Sequence, residues 1–383
     1  MARRLVFIIL LLLFFTSRCM YIRYSGGEPE VKVLLKEANS ISFSSTGETY
    51  FIMDNKKYII KERKWTVSKD AVILNNNSQI EKISFPFIVR PKNGYLKYKV
   101  RRYRGEFIID YYNGRILLIN RLPLEEYLYG VVGPEIGGVK KEVFEAAKAQ
   151  SVAARSYSLS AIKRKKSRPF DLYGDTRDQV YVGLDAENEL IIKAVNKTRG
   201  YTLTYKGEPI VAYYHSTCGG ITASSEDVWS KKITYIKSVK DTPHHRGKNY
   251  FCKPSPHFKW EIKFQKDRFL SKIVQAINKS DARRVKIKLS INRKTRRINK
   301  VIVETDRGDG SISGSRFRNL FGLKSTWFTI KKKGNYYIIE GKGYGHGTGM
   351  CQWGAREMAK KGYNFKKILR HYYPKTHLRR FYH

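Results

Sequence analysis

The segment Gly-Pro-Glu-Ile-Gly-Gly at residues 133–138 contains a carboxyl group that is a candidate for acid–base chemistry. The sequence predicts that Glu135 lies in a Gly/Pro-rich loop between two helices, where a side chain can reach the mouth of a cleft. The competing interpretation is a solvated glutamate, or one that caps a helix N-terminus. Taken alone, the segment favours that second interpretation.

Two further segments place histidine next to glycine. Residues 212–220 form an apolar strand that delivers His215 and Ser216 to a Gly-Gly turn, and functional groups often lie at such strand ends. Residues 341–355 carry glycine at alternate positions around His346. The Walker spacing is absent, so this pattern does not predict a phosphate loop. It favours close approach of the backbone and His346 to a bulky ligand.

The cysteines allow several kinds of site. Cys218 and Cys351 each lie within a few residues of His215 and His346, respectively. If the two segments meet, the cysteines can form a disulfide, remain buried thiols, or bind zinc together with the histidines. We rank these possibilities in that order, because the sequence separations are too long for a finger-like zinc motif. Cys252 competes for either partner, and no cofactor is otherwise predicted.

The region 28–120 is predicted to be rich in β-structure. Asn113-Gly114 lies between two apolar runs and is a strong hairpin signal. The predicted strands, which are rich in β-branched, aromatic or other apolar residues, are 31–35, 58–60, 71–74, 107–109 and 116–119.

Helices are predicted to follow, at 123–128 and 140–165, with 131–138 as a loop between them. The centre of the second helix consists of small residues, so other backbone can come close and the helix is expected to be central. Gln150 and Arg155 then lie near the interior, where an amide or a guanidinium must be paired.

The remaining chain alternates helices and strands, so the predicted fold class is α+β, with mostly antiparallel β-structure around a central small-residue helix. Residues 171–241 read as strands and polar loops. Further strands are predicted at 285–289, 300–304, 327–330 and 336–339, and helices at 267–278, at 355–361, and from the N-cap Asn364 to the residue before Pro374.

Export is predicted from residues 1–19, where a short basic stretch precedes an apolar run at 5–15. Cleavage, lipidation at Cys19 and a retained anchor all stay open. The net charge of +42 attracts polyanions. Because an exported protein rarely meets nucleic acid, we predict anionic envelope polymers as partners, in the cell envelope or outside the cell. A general excess of lysine in the organism's proteins explains the charge equally well.

Several motifs in one order carry a family resemblance. They are 122–128 with 130–132 and Glu135, 145–157, 178–181, 215–220, 345–350, 352–355 and 368–373. Together they resemble the sporulation stage II protein D family, which is related to amidase-enhancer proteins. The resemblance covers roughly residues 122–374, so we predict a β-rich region at 28–120 and the family's catalytic domain at 121–380.

The resemblance implies a lytic transglycosylase that acts on peptidoglycan glycan strands, preferentially strands stripped of peptides. The family's catalytic glutamate corresponds to Glu135. One carboxyl group suffices for this reaction because the muramic acid's own 6-hydroxyl is the nucleophile, whereas a hydrolase uses two carboxyl groups. Asp175 and Asp178 are possible second carboxylates, although nothing local distinguishes them. Acid chemistry near neutral pH needs a raised pKa, which apolar neighbours supply by desolvation.

Further residues are candidates for substrate binding. Gln150, Arg155 and Gln179 have two interpretations. They bind lactyl carboxylates or acetamido groups of the substrate, or they form a polar network that holds the fold together. Tyr181 and Trp353 stack on sugars or belong to the core. The full set predicted to bind substrate is Gln150, Arg155, Tyr157, Gln179, His215, Ser216, His346 and Gln352.

The resemblance leaves two questions open. Some family members hold zinc in the loop that corresponds to residues 171–181, but this loop contains neither His nor Cys, so that site is in doubt here. The amidase enhancers motivate a second hypothesis, a wall-binding protein that stimulates a cell-wall amidase without catalysing a reaction.

Overall fold

The computed structural model describes residues 27–75, 78–80, 83–164, 167–229, 232–243, 247 and 249–383. The predicted signal or anchor at 1–19 lies outside these residues. In the part of the chain that is described, no helix has the length and apolar character needed to cross a membrane.

The amino-terminal region consists of short strands, as predicted. They are β1 (Glu30–Ala38), β2 (Ile41–Ser45), β3 (Thr49–Met53), β4 (Lys56–Ile60), β5 (Lys64–Val67), β6 (Val72–Leu74), β7 (Ser78–Ile80), β8 (Phe87–Pro91), β9 (Leu96–Tyr98), β10 (Arg101–Tyr103), β11 (Glu106–Tyr112) and β12 (Arg115–Pro123). The hairpin predicted at Asn113-Gly114 joins β11 to β12, and both turn residues have positive φ.

Helices and short strands alternate after residue 123. They are α1 (Leu124–Ile136), α2 (Phe144–Lys163), β13 (Leu172–Tyr173), α3 (Glu189–Lys197), β14 (Tyr201–Tyr205), β15 (Glu208–Pro209), β16 (Tyr214–His215), α4 (Glu226–Trp229), β17 (Trp260–Gln265), α5 (Lys266–Ala276), β18 (Val285–Ile291), β19 (Ile298–Thr305), β20 (Gly310–Ser313), α6 (Gly314–Leu320), β21 (Phe328–Lys333), β22 (Tyr336–Gly341), β23 (Met350–Cys351), α7 (Gln352–Lys360), α8 (Phe365–Tyr372) and β24 (His377–Arg380). Short 3-10 turns lie at Lys141–Val143 and Gly183–Ala186.

Two sheets organise the amino-terminal strands. One has the order β13-β1-β12-β11-β8-β3-β4 and the other β10-β9-β2-β5-β6-β7. Aromatic rings join them, because Phe43 of β2 packs edge-on against Phe107 of β11, with ring centroids 5.4 Å apart. The strand pairs within the two sheets are antiparallel except β1 with β13. The predicted α+β class with mostly antiparallel strands is therefore confirmed.

Helix α2 is central, as its small residues predict. Its alanines at 146, 147, 149, 153 and 154 are fully buried, and α1, α3, α7, α8 and β14 pack around it. The amino-terminal strands and this helical layer share one hydrophobic core, and β12 continues past the domain boundary predicted at residue 120.

The stretch of chain from β17 to β22 forms a second hydrophobic core. Its sheets are β17-β22-β21 and β18-β19-β20, and α5 and α6 pack on them. Phe269 of α5 lies at its centre, with Phe317 and Phe328 among its neighbours in the same cluster. This region is separate from the core around α2 and supplies the strand that leads into the glycine-rich loop at 341–349.

Candidate active site at the end of helix α1

Helix α1 runs through Gly133 and Pro134, so the loop predicted at 131–138 is wrong. A proline inside a helix leaves the carbonyl four residues earlier without its N–H partner. Here the backbone N–H of Val182 donates to the free carbonyl of Gly130, at 3.1 Å. The helix therefore tolerates Pro134 because a neighbouring segment replaces the missing hydrogen bond.

The same replacement brings residues 180–182 against the end of α1. The ring of Tyr181 lies so close to Gly130 that an added Cβ would come within 2.6 Å of it. Two residues before Val182, the backbone N–H of Val180 donates to Oε1 of Glu135, at 2.7 Å. The segment 180–182, which binds to the carbonyl that Pro134 leaves free, therefore also fixes the carboxyl group of Glu135.

Glu135 is half-buried in the last turn of α1. Its Oε2 accepts a hydrogen bond from Nε2 of Gln352, at 3.3 Å. Burial raises the pKa of Glu135, while the hydrogen bonds from Val180 and Gln352 lower it by less, so the net direction is upward. Among the described residues, Glu135 forms no salt bridge. The carboxyl group is thus held in a defined geometry without a cation that would keep it ionised.

Helix α7 positions both Gln352 and the end of α1. Arg356 lies one turn after Gln352, and its guanidinium donates to the backbone carbonyls of Ile136 and Gly138, each at 3.0 Å, and to that of Gly137 between them. A cation at these carbonyls complements the negative end of the helix. One face of α7 therefore fixes the helix end and the carboxyl group together.

The two histidine segments meet, which was the condition for a shared site of their cysteines. Strands β16 and β23 pair in parallel, with Tyr214 opposite Met350 and His215 opposite Cys351. The rings of His215 and His346 lie with their centroids 5.5 Å apart. The strand pair therefore places the glycine-rich loop next to the end of β16.

Both histidines have defined tautomers. Nδ1 of His215 donates to the carbonyl of Thr348 at 3.0 Å, and Nε2 of His346 donates to that of Tyr214 at 2.9 Å. Burial lowers the pKa of each histidine to about 3; Arg297 adds to this for His215, and His215 for His346. The two rings are therefore neutral near pH 7. Nε2 of His215 is buried and has no hydrogen-bond partner among the described residues.

An open cavity of about 310 Å³ lies beside these groups. Its lining residues are Tyr157, Thr176, Arg177, Asp178, Tyr213, Tyr214, Trp229 and His346. Trp229 is 38% exposed, and its ring lies 4.4 Å from that of Tyr213. Burial raises the pKa of Tyr214 well above its usual range, and the charge of Glu135 acts in the same direction. Asp178 lines the cavity, and Val180, two residues later, donates to Glu135, so the segment 178–180 connects the cavity to the carboxyl group.

Three of the predicted substrate-binding residues are buried away from the cavity. Arg155 is fully buried and forms a bidentate ion pair with Glu125, at 2.8 and 2.7 Å. Gln179 is hydrogen-bonded to the phenols of Tyr127 and Tyr214, at 3.1 and 2.8 Å. For these two residues the polar-network interpretation holds. Gln150 is also fully buried, its amide has no hydrogen-bond partner among the described residues, and it is not among the residues that line the cavity.

The remaining candidates have varied surroundings. Tyr157 lines the cavity and donates to Asp178 at 2.6 Å. Ser216 is half-buried, and its carbonyl accepts from the backbone N–H of Trp353 at 3.1 Å. Tyr181 belongs to the buried core, which was the alternative to stacking on a sugar. Gln352 contacts the carboxyl group of Glu135, a role that the sequence did not indicate.

The cysteines contradict the predicted disulfide. Cys218, Cys252 and Cys351 are all buried and free, and Cys218 and Cys351 are not joined. The pairing of β16 with β23 brings Cys218 and Cys351 close together, because Cys351 ends β23 and Cys218 begins the turn after β16. Cys252, predicted from the sequence as a competing partner, lies in the same cluster, with its sulfur 3.5 Å from that of Cys218.

The loop at 171–181 does not fit the zinc site that the family resemblance implies. It offers no thiol or imidazole, and its carboxylates already have partners. Asp175 is paired with Arg177, and Asp178 accepts from Tyr157 and from the backbone N–H of Tyr173 at 2.9 Å. Among the described residues, the causes of the pKa shift of Glu135 are burial and the hydrogen bonds from Val180 and Gln352, and neither carboxylate is one of them.

Three groups at the site have weak signals in the sequence. The N–H of Val180 is a backbone group and leaves no trace in residue type. Trp229 lies in a segment without a recognised motif. Arg356 gave a usable signal, since a basic residue one turn after Gln352 lies on the same helix face.

Two family profiles match parts of this chain. The sequence profile of the family described as Stage II sporulation protein matches residues 112–205, which contain α1 and α2. A family described as a domain of unknown function (DUF8618) matches residues 244–349, which include the second core.

Three relatives were aligned over most of this chain's length. An uncharacterised protein of Brachyspira hyodysenteriae is 34% identical over 71% of this chain and 70% of its own length. Stage II sporulation protein D of Bacillus subtilis is 30% identical over 68% of this chain and 75% of its own length. The amidase enhancer of Bacillus subtilis is 31% identical over 61% of this chain but only 38% of its own length. By its sequence, its motifs and these relatives, the chain belongs to the stage II sporulation protein D family.

Proposed function

We propose that this protein is a lytic transglycosylase that cleaves the glycan strands of peptidoglycan, preferentially strands without peptides. The observation that carries the proposal is the setting of Glu135. Its carboxyl group is fixed by Val180 and Gln352, has no cation partner among the described residues, and has a raised pKa because of burial. A raised pKa favours the protonated form, which is the form that a general acid needs.

The reaction needs only this one carboxyl group. Protonated Glu135 donates its proton to the glycosidic oxygen as the bond between that oxygen and the anomeric carbon of muramic acid breaks. The 6-hydroxyl of the same sugar then bonds to the anomeric carbon, and its proton passes to the Glu135 carboxylate. The product is a 1,6-anhydro end, the acid is regenerated, and no water is consumed. A single carboxyl group without an electrostatically coupled partner supports this reaction over two-carboxylate hydrolysis.

The two oxygens of Glu135 have different surroundings, which supports distinct roles. Oε1 accepts the short hydrogen bond from Val180, at 2.7 Å, and this backbone donor stabilises the carboxylate that forms after proton transfer. The contact of Oε2 with Gln352 is longer, at 3.3 Å. We therefore assign the transferred proton to Oε2, with Gln352 orienting that oxygen.

The cavity beside Glu135 has features suited to a glycan. Aromatic surfaces of Tyr157, Tyr213 and Trp229 line it, and they offer broad apolar faces next to polar tips. His346 is neutral and adds no charge. Arg177 at the rim can meet a lactyl carboxylate, although it is paired with Asp175 in the free protein.

The family places the protein at the cell envelope, and the net charge of +42 fits anionic envelope polymers as partners. The similarity to an amidase enhancer supports a cell-wall amidase as a further partner. We therefore propose envelope polymers and an amidase as partners, and we do not propose nucleic acid.

The test uses purified protein and peptide-stripped glycan, with and without an added N-acetylmuramoyl-L-alanine amidase. We expect the wild type alone to shorten the strands and to produce anhydro-muramyl ends, and Glu135→Gln to produce none. Glu189→Gln is the matched control, because Glu189 is an exposed carboxylate at the start of α3. If wild type and Glu135→Gln stimulate the amidase equally and neither cleaves glycan alone, the protein is a non-catalytic enhancer and the proposal is wrong.

A further inference from the structure

We propose that Cys218, Asp241, Cys252 and Cys351 bind one zinc ion beneath the site. The four residues are completely buried, and their ligand atoms all lie within 4.8 Å of one another. Tetrahedral zinc with bonds of about 2.3 Å holds its sulfur ligands about 3.8 Å apart. The sulfurs of Cys218 and Cys252 are 3.5 Å apart, which is close to that separation.

Backbone donors point at the sulfurs. The N–H of Cys218 lies 3.2 Å from the sulfur of Cys351, and the N–H of Gly220 lies 3.3 Å from the sulfur of Cys218. A thiolate accepts such hydrogen bonds better than a thiol, and thiolate is the form that binds metal. The turn after β16 is therefore arranged around sulfur atoms that act as acceptors.

The carboxylate has the outer contacts expected of a metal ligand. The phenol of Tyr372 donates to Oδ1 of Asp241 at 2.5 Å, and the backbone N–H of Cys252 donates to Oδ2 at 2.9 Å. Groups of this kind orient ligating carboxylates in metal sites. Without a cation, a carboxylate buried among three thiols would be costly.

The buried guanidinium of Arg297 next to the cluster fits a site that stays anionic after zinc has bound. Arg297 is 1% exposed, and among the described residues it forms no salt bridge with a carboxylate. Its guanidinium donates to the carbonyls of Cys218 at 3.2 Å and Ile221 at 3.1 Å. Three thiolates and one carboxylate carry a charge of −4, so a zinc ion leaves −2, and Arg297 lies beside it to offset part of that charge.

A disulfide explains the cluster less well. Joining Cys218 to Cys252 would leave Cys351 and Asp241 buried without a reason for their convergence. Four protein ligands make a closed site with no open position, so the zinc is structural and takes no part in the reaction. It would hold the turn after β16, Asp241, Cys252 and the start of α7 together, and Cys351 directly precedes Gln352.

The first test uses the wild-type full chain, purified without chelators and then supplied with zinc. We expect about one zinc per chain by elemental analysis, and we expect Cys218, Cys252 and Cys351 to react with a thiol reagent only after a chelator is added, whereas Cys19 lies outside the cluster. Replacing zinc with cobalt should give the d–d bands of a tetrahedral ion and strong thiolate charge-transfer absorption. Labelling of Cys218, Cys252 and Cys351 in a metal-free chain without a chelator, identified by peptide mapping, or a mass reduced by the two hydrogens of a disulfide among them, would overturn the proposal.

The second test uses variants that separate ligands from neighbours. Cys252→Ser should lose the zinc, whereas Ser255→Ala should retain it, because Ser255 is also buried nearby but bonds only the hydroxyl of Thr217 and local backbone. Tyr372→Phe should keep the site but weaken zinc affinity by about 10- to 100-fold in a chelator competition. If Cys252→Ser does not fold, Tyr372→Phe still decides, since unchanged affinity would contradict the assigned role of Asp241.

Discussion

The two ends of helix α1 hold glutamates with opposite surroundings. At its start, Glu125 is buried and paired with Arg155 through two hydrogen bonds. Burial raises the pKa of Glu125, but the charge and hydrogen bonds of Arg155 outweigh it, so the net pKa is lowered. At its end, burial raises the pKa of Glu135 and no cation opposes it. The same residue type on one helix thus has a lowered pKa at one end and a raised pKa at the other.

This difference separates support of the fold from chemistry. Glu125 also accepts a hydrogen bond from the phenol of Tyr382, and Arg155 donates to the carbonyl of Tyr201 at 3.0 Å. The ion pair therefore connects α1, α2 and the carboxyl-terminal strand region. Within the described part of the chain, Glu135 forms side-chain hydrogen bonds with one backbone N–H and one amide only. We therefore expect changes at Glu125 to affect stability and changes at Glu135 to affect the reaction.

The largest expected effect is the loss of cleavage in Glu135→Gln. Removing a general acid typically costs about 10²- to 10⁴-fold in rate, while the amide keeps the shape and the hydrogen-bond acceptor. Strand cleavage should fall by this amount, and the unfolding midpoint in denaturant should not fall. A variant that cleaves normally, or one that unfolds, would remove the proposed distinction between the two ends.

Glu125→Gln should instead destabilise the protein by about 3–5 kcal/mol, because it leaves the buried charge of Arg155 without its partner. The free energy of unfolding measured in denaturant checks this expectation. Adding Arg155→Met to the first change should restore much of the loss, since the unpaired charge is then removed. A loss below about 1 kcal/mol, the range of an exposed pair, would show that the ion pair is not buried in solution.

The pH profile of cleavage should show the state of Glu135. The acid must be protonated, so kcat/KM should be constant at low pH and should fall as the pH rises through the raised pKa of Glu135. The hydrogen bond from Gln352 lowers that pKa, so Gln352→Ala should move the falling limb to higher pH. A limb that moves to lower pH would mean that Gln352 does not stabilise the carboxylate.

The smallest expected effect is on thermal stability. Because the pKa of Glu135 is raised in the folded state, its contribution is complete below the ordinary value of 4.5 and is lost as the pH rises through the folded pKa. For Glu125, whose pKa is lowered, the contribution is lost as the pH falls through its folded pKa. Glu135→Gln should therefore have a Tm equal to that of the wild type at low pH and a higher Tm near neutral pH. A lower Tm near neutral pH would argue that Glu135 supports the fold.

Local patterns in the sequence predicted most elements, and their failures have physical causes. The interruption predicted at Pro134 was wrong because Val182, distant in sequence, replaces the missing hydrogen bond. Residues 171–241 are predicted as strands and polar loops, but helix α3 forms there. Its signal was present, since Asn188 caps the helix and Ile191 and Val195 lie on its buried face.

The candidate site was predictable in part. The approach of the segments around His215 and His346 follows from the motifs, whereas the position of Arg155 depends on Glu125, a residue that no local pattern connects to it. The cluster of three cysteines needs the fold, because Cys252 lies in a segment with no pairing signal. Backbone contacts such as that of Val180 cannot be read from residue types at all.

The most direct test of a reaction with a single carboxyl group is to digest peptide-free glycan in water labelled with a heavy oxygen isotope. Mass spectrometry of the new ends then reports the nucleophile. We expect anhydro-muramyl ends without the heavy isotope from the wild type, and none from Glu135→Gln. Reducing ends that carry the heavy oxygen would show that water attacks the sugar, and would contradict the role assigned to Glu135.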